Sequence, residues 1–180
     1  MVDRIGPMCQ HTTMRITPND ITDWKRATKT KSVKAKPLIS LLVDRSVLNK
    51  FLVDTLEGNE PLGDGVVICI GESRDCWQQS PKKLLQKYNV TSIDNDGWMI
   101  CEPRPDNSVK CWQVPRSTTE GHGAIGNTIF EIVGLWGATI NNEKNIQMGV
   151  AGDYICQSES DGTDVWIVKQ KIFENTYSIL

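Results

Sequence analysis

GDGVVICIGESRDCWQQSPKKLLQKYNV, residues 63–90, and GDYICQSESDGTDVWIVKQKIFENTYSI, residues 152–179, lie over each other without a gap. The copies share Gly63/Gly152, Asp64/Asp153, Asp75/Asp164, Trp77/Trp166, Lys82/Lys171 and Tyr88/Tyr177. Val66/Ile155, Glu72/Asp161, Leu84/Phe173 and Val90/Ile179 match in character. Glycine, tryptophan and tyrosine are the residues a fold replaces least easily. Each stretch reads as a Gly-Asp turn, an apolar strand, a polar turn, a strand carrying tryptophan, a short helix and a final strand. The expected class is therefore α+β: two similar small modules, each a bent, mainly antiparallel sheet with one short helix, fused into one globule. Residues 1–32 would be an N-terminal extension with a short helix, 33–98 the first module and 99–180 the second. In this reading Gly63, Asp64, Trp77 and Tyr88 in one copy, and Gly152, Asp153, Trp166 and Tyr177 in the other, are structural.

The chain has 180 residues, 39% apolar and 23% charged, within the range of globular domains. A net charge of −2 predicts no general attraction to nucleic acid or to a membrane surface. Leu38-Ile39-Ser40-Leu41-Leu42-Val43, the longest apolar candidate, is strand-sized and far short of the roughly 20 residues that cross a bilayer. The first residues, Met1-Val2-Asp3-Arg4, open no apolar leader, so the expected location is a cytoplasm. Cys69, Cys101, Cys111 and Cys156 lie in apolar strand-like runs, which favours reduced, buried thiols over a disulfide framework.

Between the copies and their flanks the punctuation is dense. Thr17-Pro18-Asn19-Asp20 resembles a capped helix start, with a helix expected to fade near Ala27. Lys25, Arg26, Lys29, Lys31, Lys34 and Lys36 follow with no acid among them. Their spacing reads as a solvated strand edge that discourages pairing rather than as a phosphate-binding patch. Removing these six from a total of −2 leaves −8 on the rest of the chain, which opposes a general grip on nucleic acid. Val47, Leu48, Phe51, Leu52 and Leu56 recur at helical spacing. Residues 98–102 and 109–114 read as a hairpin around Pro103-Arg104-Pro105, and 116–127 as a mobile loop.

The runs Gly152-Asp153-Tyr154-Ile155, Trp166-Ile167-Val168 and Ile172-Phe173-Glu174-Asn175-Thr176-Tyr177 resemble the close of many small phage-encoded proteins. Those carry a Gly-Asp-Tyr or Gly-Asp-Trp turn and an ending like IFEATY, and a related bacterial family is named for its PGDYG motif. Their basic-Pro opening strand resembles Lys34-Ala35-Lys36-Pro37 and Arg104-Pro105-Asp106-Asn107-Ser108-Val109. The first copy departs from the pattern, with Gly65 in place of the aromatic residue. The resemblance implies a phage or bacterial accessory protein and carries over no catalytic residue.

Motifs for chemistry are sparse. There is no Cys-x-x-Cys, and His11 and His122 stand apart from any ligand cluster, so no metal and no cofactor is expected. His122 could reach Cys101 or Cys111 as a base, though a solvated loop histidine is the simpler reading. Gly121-x-Gly123-x-x-Gly126 lacks the preceding strand and following helix of a dinucleotide fingerprint. Of six tryptophans, the repeated Trp77 and Trp166 read as core plugs. Trp98 and Trp112, with Arg104 between them and His122 nearby, read as the place for a ligand: the guanidinium fork suits phosphate and an indole face suits a base. The expected function is non-catalytic binding of phage type, acting on a host protein through a protein–protein interface. The alternatives are sequestration of a small nucleotide-derived ligand, and a Cys/His enzyme. Assembly of identical copies is left open.

Overall fold

In Val165-Trp166-Ile167-Val168 both faces of an extended chain are apolar, so this strand belongs between two layers. The computed structural model places it there, and it describes residues 13–38, 52–55, 58–63, 65–116 and 129–180. Of the helix expected over 47–56, the described part, residues 52–55, is a strand instead, paired antiparallel with 58–61; the strand beyond Leu38, Asp64 and the loop carrying His122, apart from Arg116, fall outside the described residues.

The chain runs through β1 (Thr13–Arg15), a 3₁₀ turn (Pro18–Asp20), β2 (Lys25–Lys29), β3 (Val33–Pro37), β4 (Leu52–Thr55) and β5 (Gly58–Pro61). It continues with β6 (Val67–Ile70), β7 (Cys76–Gln79), α1 (Pro81–Lys87), β8 (Tyr88–Ile93), β9 (Met99–Pro103) and β10 (Ser108–Gln113). The remainder is β11 (Ile129–Ile140), β12 (Glu143–Val150), β13 (Tyr154–Ser158), β14 (Val165–Val168), α2 (Gln170–Thr176) and β15 (Tyr177–Ile179). Fifteen strands against two seven-residue helices, among the described residues, correct the expected α+β class to mainly β.

The helix expected over 17–27 is one reason. Thr17 and Asp20 close on each other instead: the Thr17 N–H and hydroxyl both donate to the Asp20 carboxylate, at 2.8 and 2.7 Å. That satisfies the turn locally, and the chain then leaves it extended. Ala27 enters the core while Lys25 and Arg26 stay exposed.

Two five-stranded sheets carry the fold, ordered β7-β6-β3-β9-β8 and β14-β13-β10-β2-β15. The orders match strand for strand, and every pairing within them is antiparallel. They are not two self-contained modules, however. In the first sheet β9 follows β8 in the chain, whereas its counterpart β2 precedes everything in the second sheet. The stretch read as an N-terminal extension thus supplies an interior strand, paired with β10 on one side and β15 on the other. The links β2 to β3 and β9 to β10 each pass from one sheet to the other. The hairpin expected from 98–102 and 109–114 is therefore absent, because β9 and β10 pair in different sheets.

Register refines the gapless alignment. Trp77 stands opposite Cys69, and Trp166 opposite Cys156. Counting back four residues from each cysteine, Gly65 rather than Gly63 takes the place of Gly152, and both have positive φ, 67° and 96°. The Leu38 N–H donates to the Val66 carbonyl at 3.0 Å, and the Val114 N–H to the Asp153 carbonyl at 2.8 Å, at the same ladder position.

A third sheet, β1-β11-β12, covers the outer face of the second sheet. Phe130, Ile132, Val165, Ile167 and Ile155 form the core between them. The fully buried Gln147 staples this layer: its amide nitrogen donates to the Trp136 carbonyl at 2.9 Å, and its oxygen accepts the Ile167 N–H at 2.9 Å. Gly134 has no alternative residue here, since a Cβ would meet the Val165 carbonyl oxygen at 2.5 Å. Asn141 and Asn142, with φ of 50° and 68°, make the tight turn between β11 and β12.

Candidate functional site

Both inner sheet faces, with α1 and α2, surround a cavity of about 320 Å³. That lies at the lower end of the roughly 300–1,000 Å³ range of small-ligand sites. Its walls are Trp77, Tyr88 and Val33 from the first sheet and Trp166, Tyr177 and Val109 from the second, with Trp136 at one side.

The cations come from elements whose periodicity aims them inward. Lys29 is opposite Tyr177 in the β2–β15 register, so the two share a face. Its Nζ donates to the Tyr88 hydroxyl at 2.6 Å and lies 5.2 to 5.4 Å from the ring centres of Trp77, Tyr88 and Tyr177. Lys83 and Lys87, four residues apart, lie on one side of α1, while Leu84 packs into the first sheet's core. Lys83 Nζ crosses to Asp164 Oδ2 of the second sheet's hairpin at 3.1 Å, and that carboxylate is nearly buried. Lys87 Nζ lies 4.8 Å from the centre of the Trp166 ring.

Burial among these rings pushes the Lys87 ammonium down to about 8, with Asp164 opposing the shift and Lys29 and Lys83 reinforcing it. Burial also lowers Lys29, against an opposing pull from Asp75. Among the described residues neither ammonium has a carboxylate within ion-pair distance. Aromatic faces compensate in part, by about 0.5–2 kcal/mol each. An anion between the two lysines would restore much of the remainder.

The basic segment read as a strand edge is corrected accordingly. β2 and β3 are interior strands, and the segment divides between two faces. Lys34 and Lys36 point away from the cavity, to Asp94 at 2.8 Å and to the Asp96 carbonyl at 2.8 Å beneath Trp98. Lys29 turns into the aromatic cage, while Lys31, also at the cavity wall, pairs with Glu72 at 3.6 Å. Sequence spacing could not show this, because the rings that meet Lys29 come from residues 77, 88 and 177.

The residues read as a ligand site take separate partners. Trp98 is half-buried under Lys36. Both forks of Arg104 are engaged by Asp106, at 3.1 and 3.0 Å. Trp112 packs on the core shared with the third sheet. His122 lies outside the described residues. Of the tryptophans read as plugs, Trp166 is buried and Trp77 remains half-buried, and both line the cavity.

Asp153 shows what the Gly-Asp turn does. Its Oδ2 accepts the Val150 N–H at 3.0 Å and Lys169 Nζ at 3.1 Å, and its Oδ1 accepts the Gln170 N–H at 3.0 Å. It caps α2 from a distance, so the motif is architecture. The Ser80 hydroxyl caps α1 instead, accepting the Lys83 N–H at 3.2 Å.

The five described cysteines are free, and burial raises each thiol, Cys69 to about 11. Protonated thiols of this kind are poor nucleophiles. Among the described residues no three His, Cys, Asp or Glu side chains gather as a metal site. No described helix is long and apolar enough to cross a membrane. Comparison with family models, with curated proteins and with solved structures returned no match for this chain.

Proposed function

We propose that this protein binds a small anionic ligand with a flat ring in the cavity between its two five-stranded sheets, without chemical change to it. The observation that carries this reading is the pair Lys29 and Lys87: two ammoniums with no carboxylate partner among the described residues, held against four aromatic rings in a 320 Å³ space. Rings on several walls suit stacking of a base, and the lysines suit its phosphate. A nucleotide-derived ligand meets both demands. On the resemblance to small phage-encoded proteins, the role would be to sequester a host nucleotide.

The test is titration of mononucleotide and cyclic-nucleotide libraries, followed by heat and indole fluorescence, in the parent protein and in Lys87→Met and Arg104→Ala. Tight binding by the parent, a loss of tenfold or more in Lys87→Met and no change in Arg104→Ala are expected. No binding by the parent, or equal binding by Lys87→Met, contradicts the reading.

A second reading, docking of a host protein, has its own observation. Val133, Leu135, Met148 and Val150 are exposed on the outer side of the β11–β12 hairpin. Val133→Lys with Met148→Lys would abolish such docking and leave nucleotide binding intact.

A further inference from the structure

Among the described residues four lysines line the cavity, and the amines of three are engaged. Lys29 Nζ donates to the Tyr88 hydroxyl at 2.6 Å, Lys31 pairs with Glu72 at 3.6 Å and Lys83 with Asp164 at 3.1 Å. Lys87 has neither a hydrogen bond nor an ion pair among the described residues, only the Trp166 ring at 4.8 Å. Both Lys87, which is half-buried, and that ring line the cavity. The fold does not require an amine at this place. Lys87 ends α1 just before Tyr88, as Thr176 ends α2 just before Tyr177. Thr176 closes its helix without a charge, its hydroxyl donating to the Ile172 carbonyl at 2.6 Å. A lysine in a last turn ordinarily serves the helix dipole from solvent, whereas this one lies against an indole. Such surroundings favour the neutral amine. With burial holding the ammonium down to about 8, about one molecule in ten carries the free amine at neutral pH, against fewer than about one in a thousand for an ordinary lysine.

We infer that Lys87 is a covalent capture site, forming a reversible imine with a small aromatic aldehyde that also bears a phosphate. This goes beyond the nucleotide reading and does not depend on it. The neutral Nζ adds to the carbonyl carbon, and one of its protons passes to the carbonyl oxygen. The hydroxyl so formed leaves as water with the second nitrogen proton, and a C=N bond remains. Nothing is oxidised or reduced, no co-reactant is needed, and water reverses the step to return both partners unchanged. Lys29 serves the phosphate. Its charge is felt at Lys87, and its ammonium keeps donors beyond the one given to Tyr88. Lys83 is tied to Asp164 and is not free to add. The two uses of Lys87 are alternatives: charged, it pairs with an anion, and neutral, it adds to a carbonyl.

The experiment adds pyridoxal 5′-phosphate to the full chain, follows the visible absorbance of the imine, reduces it with borohydride and locates the label by peptide mass mapping. A larger neutral fraction, offset in part by lower basicity, predicts labelling of Lys87 about tenfold or more faster than of any other lysine near pH 8. Lys87→Met should keep only the slow labelling of the other lysines. Pyridoxal, which lacks the phosphate, should label Lys87 about tenfold more slowly, for want of the charge-assisted contact. Labelling of Lys87 no faster than elsewhere overturns the inference, as does fast single-site labelling that survives Lys87→Met. Equal rates with pyridoxal overturn the phosphate as part of the ligand class. Mapping in the parent decides the matter even where Lys87→Met fails to fold. Nucleotide binding without selective labelling overturns this inference alone, and selective labelling without nucleotide binding overturns the nucleotide reading alone.

Discussion

The two five-stranded sheets share an order and a register but differ in burial. The second is covered on both faces, by α2 and the aromatic core on one side and by β11 and β12 on the other. Among the described residues, the first packs its core on one face, against α1, and on the other carries the exposed Lys34 and the half-buried Lys36 with their partners. Core chemistry follows the difference. Tyr154, Phe173 and Tyr177 form a parallel stack with ring centres 3.8 and 4.7 Å apart. By register their counterparts are Val67, Leu84 and Tyr88, which fill less space. One strand plan therefore serves two purposes. The doubly covered sheet holds the fold, and the lighter one leaves room at its tryptophan for a ligand.

The tryptophans offer the strongest way to break this contrast. Trp166→Ala is expected to cost about 3–5 kcal/mol, since the ring is buried in the second sheet's core even though one side of it meets the cavity. Trp77→Ala, at the cavity wall, is expected to cost about 1–2 kcal/mol while weakening nucleotide binding severely. Equilibrium urea unfolding of both variants measures the difference. Similar costs would show that the two sheets are not distinct in role. The helix caps sharpen the comparison at a smaller scale. Asp153→Ala strands three donors and is expected to cost about 2–3 kcal/mol, whereas Ser80→Ala removes one cap bond for about 1 kcal/mol.

The hairpin, helix and strand order around both tryptophans was legible in the sequence, because Gly-Asp, Ser-Pro and the Trp-bearing runs fix local geometry. The class was not. The 17–20 turn carries every mark of a helix start, yet the Thr17 and Asp20 side chains satisfy it alone, and tertiary pairing claims β2 as a strand. Nor could the sequence show that β2 crosses to a sheet whose other strands begin at residue 108. The cavity was missed for the same reason. Lys29, Lys87, Trp77 and Trp166 are scattered in the chain, and only the exchange of strands between sheets brings them together. The one signal available was Lys83 and Lys87 at helical spacing on α1, beside the core residue Leu84.

The proton on Lys87 tests the central claim most directly. Its ammonium is held near 8 in the folded protein against an ordinary value of 10.5. Between those values the unfolded chain holds more protons than the folded one, so this lysine makes stability rise with pH across that window. Anion binding runs the other way, because a bound phosphate favours the charged ammonium. Affinity for the tightest-binding mononucleotide should be highest below pH 8 and fall about tenfold or more by pH 9.5, with most of that fall absent in Lys87→Met. Over the same interval the parent's melting temperature should rise relative to that of Lys87→Met. An affinity independent of pH, or the same fall in both proteins, would contradict a ligand seated against Lys87.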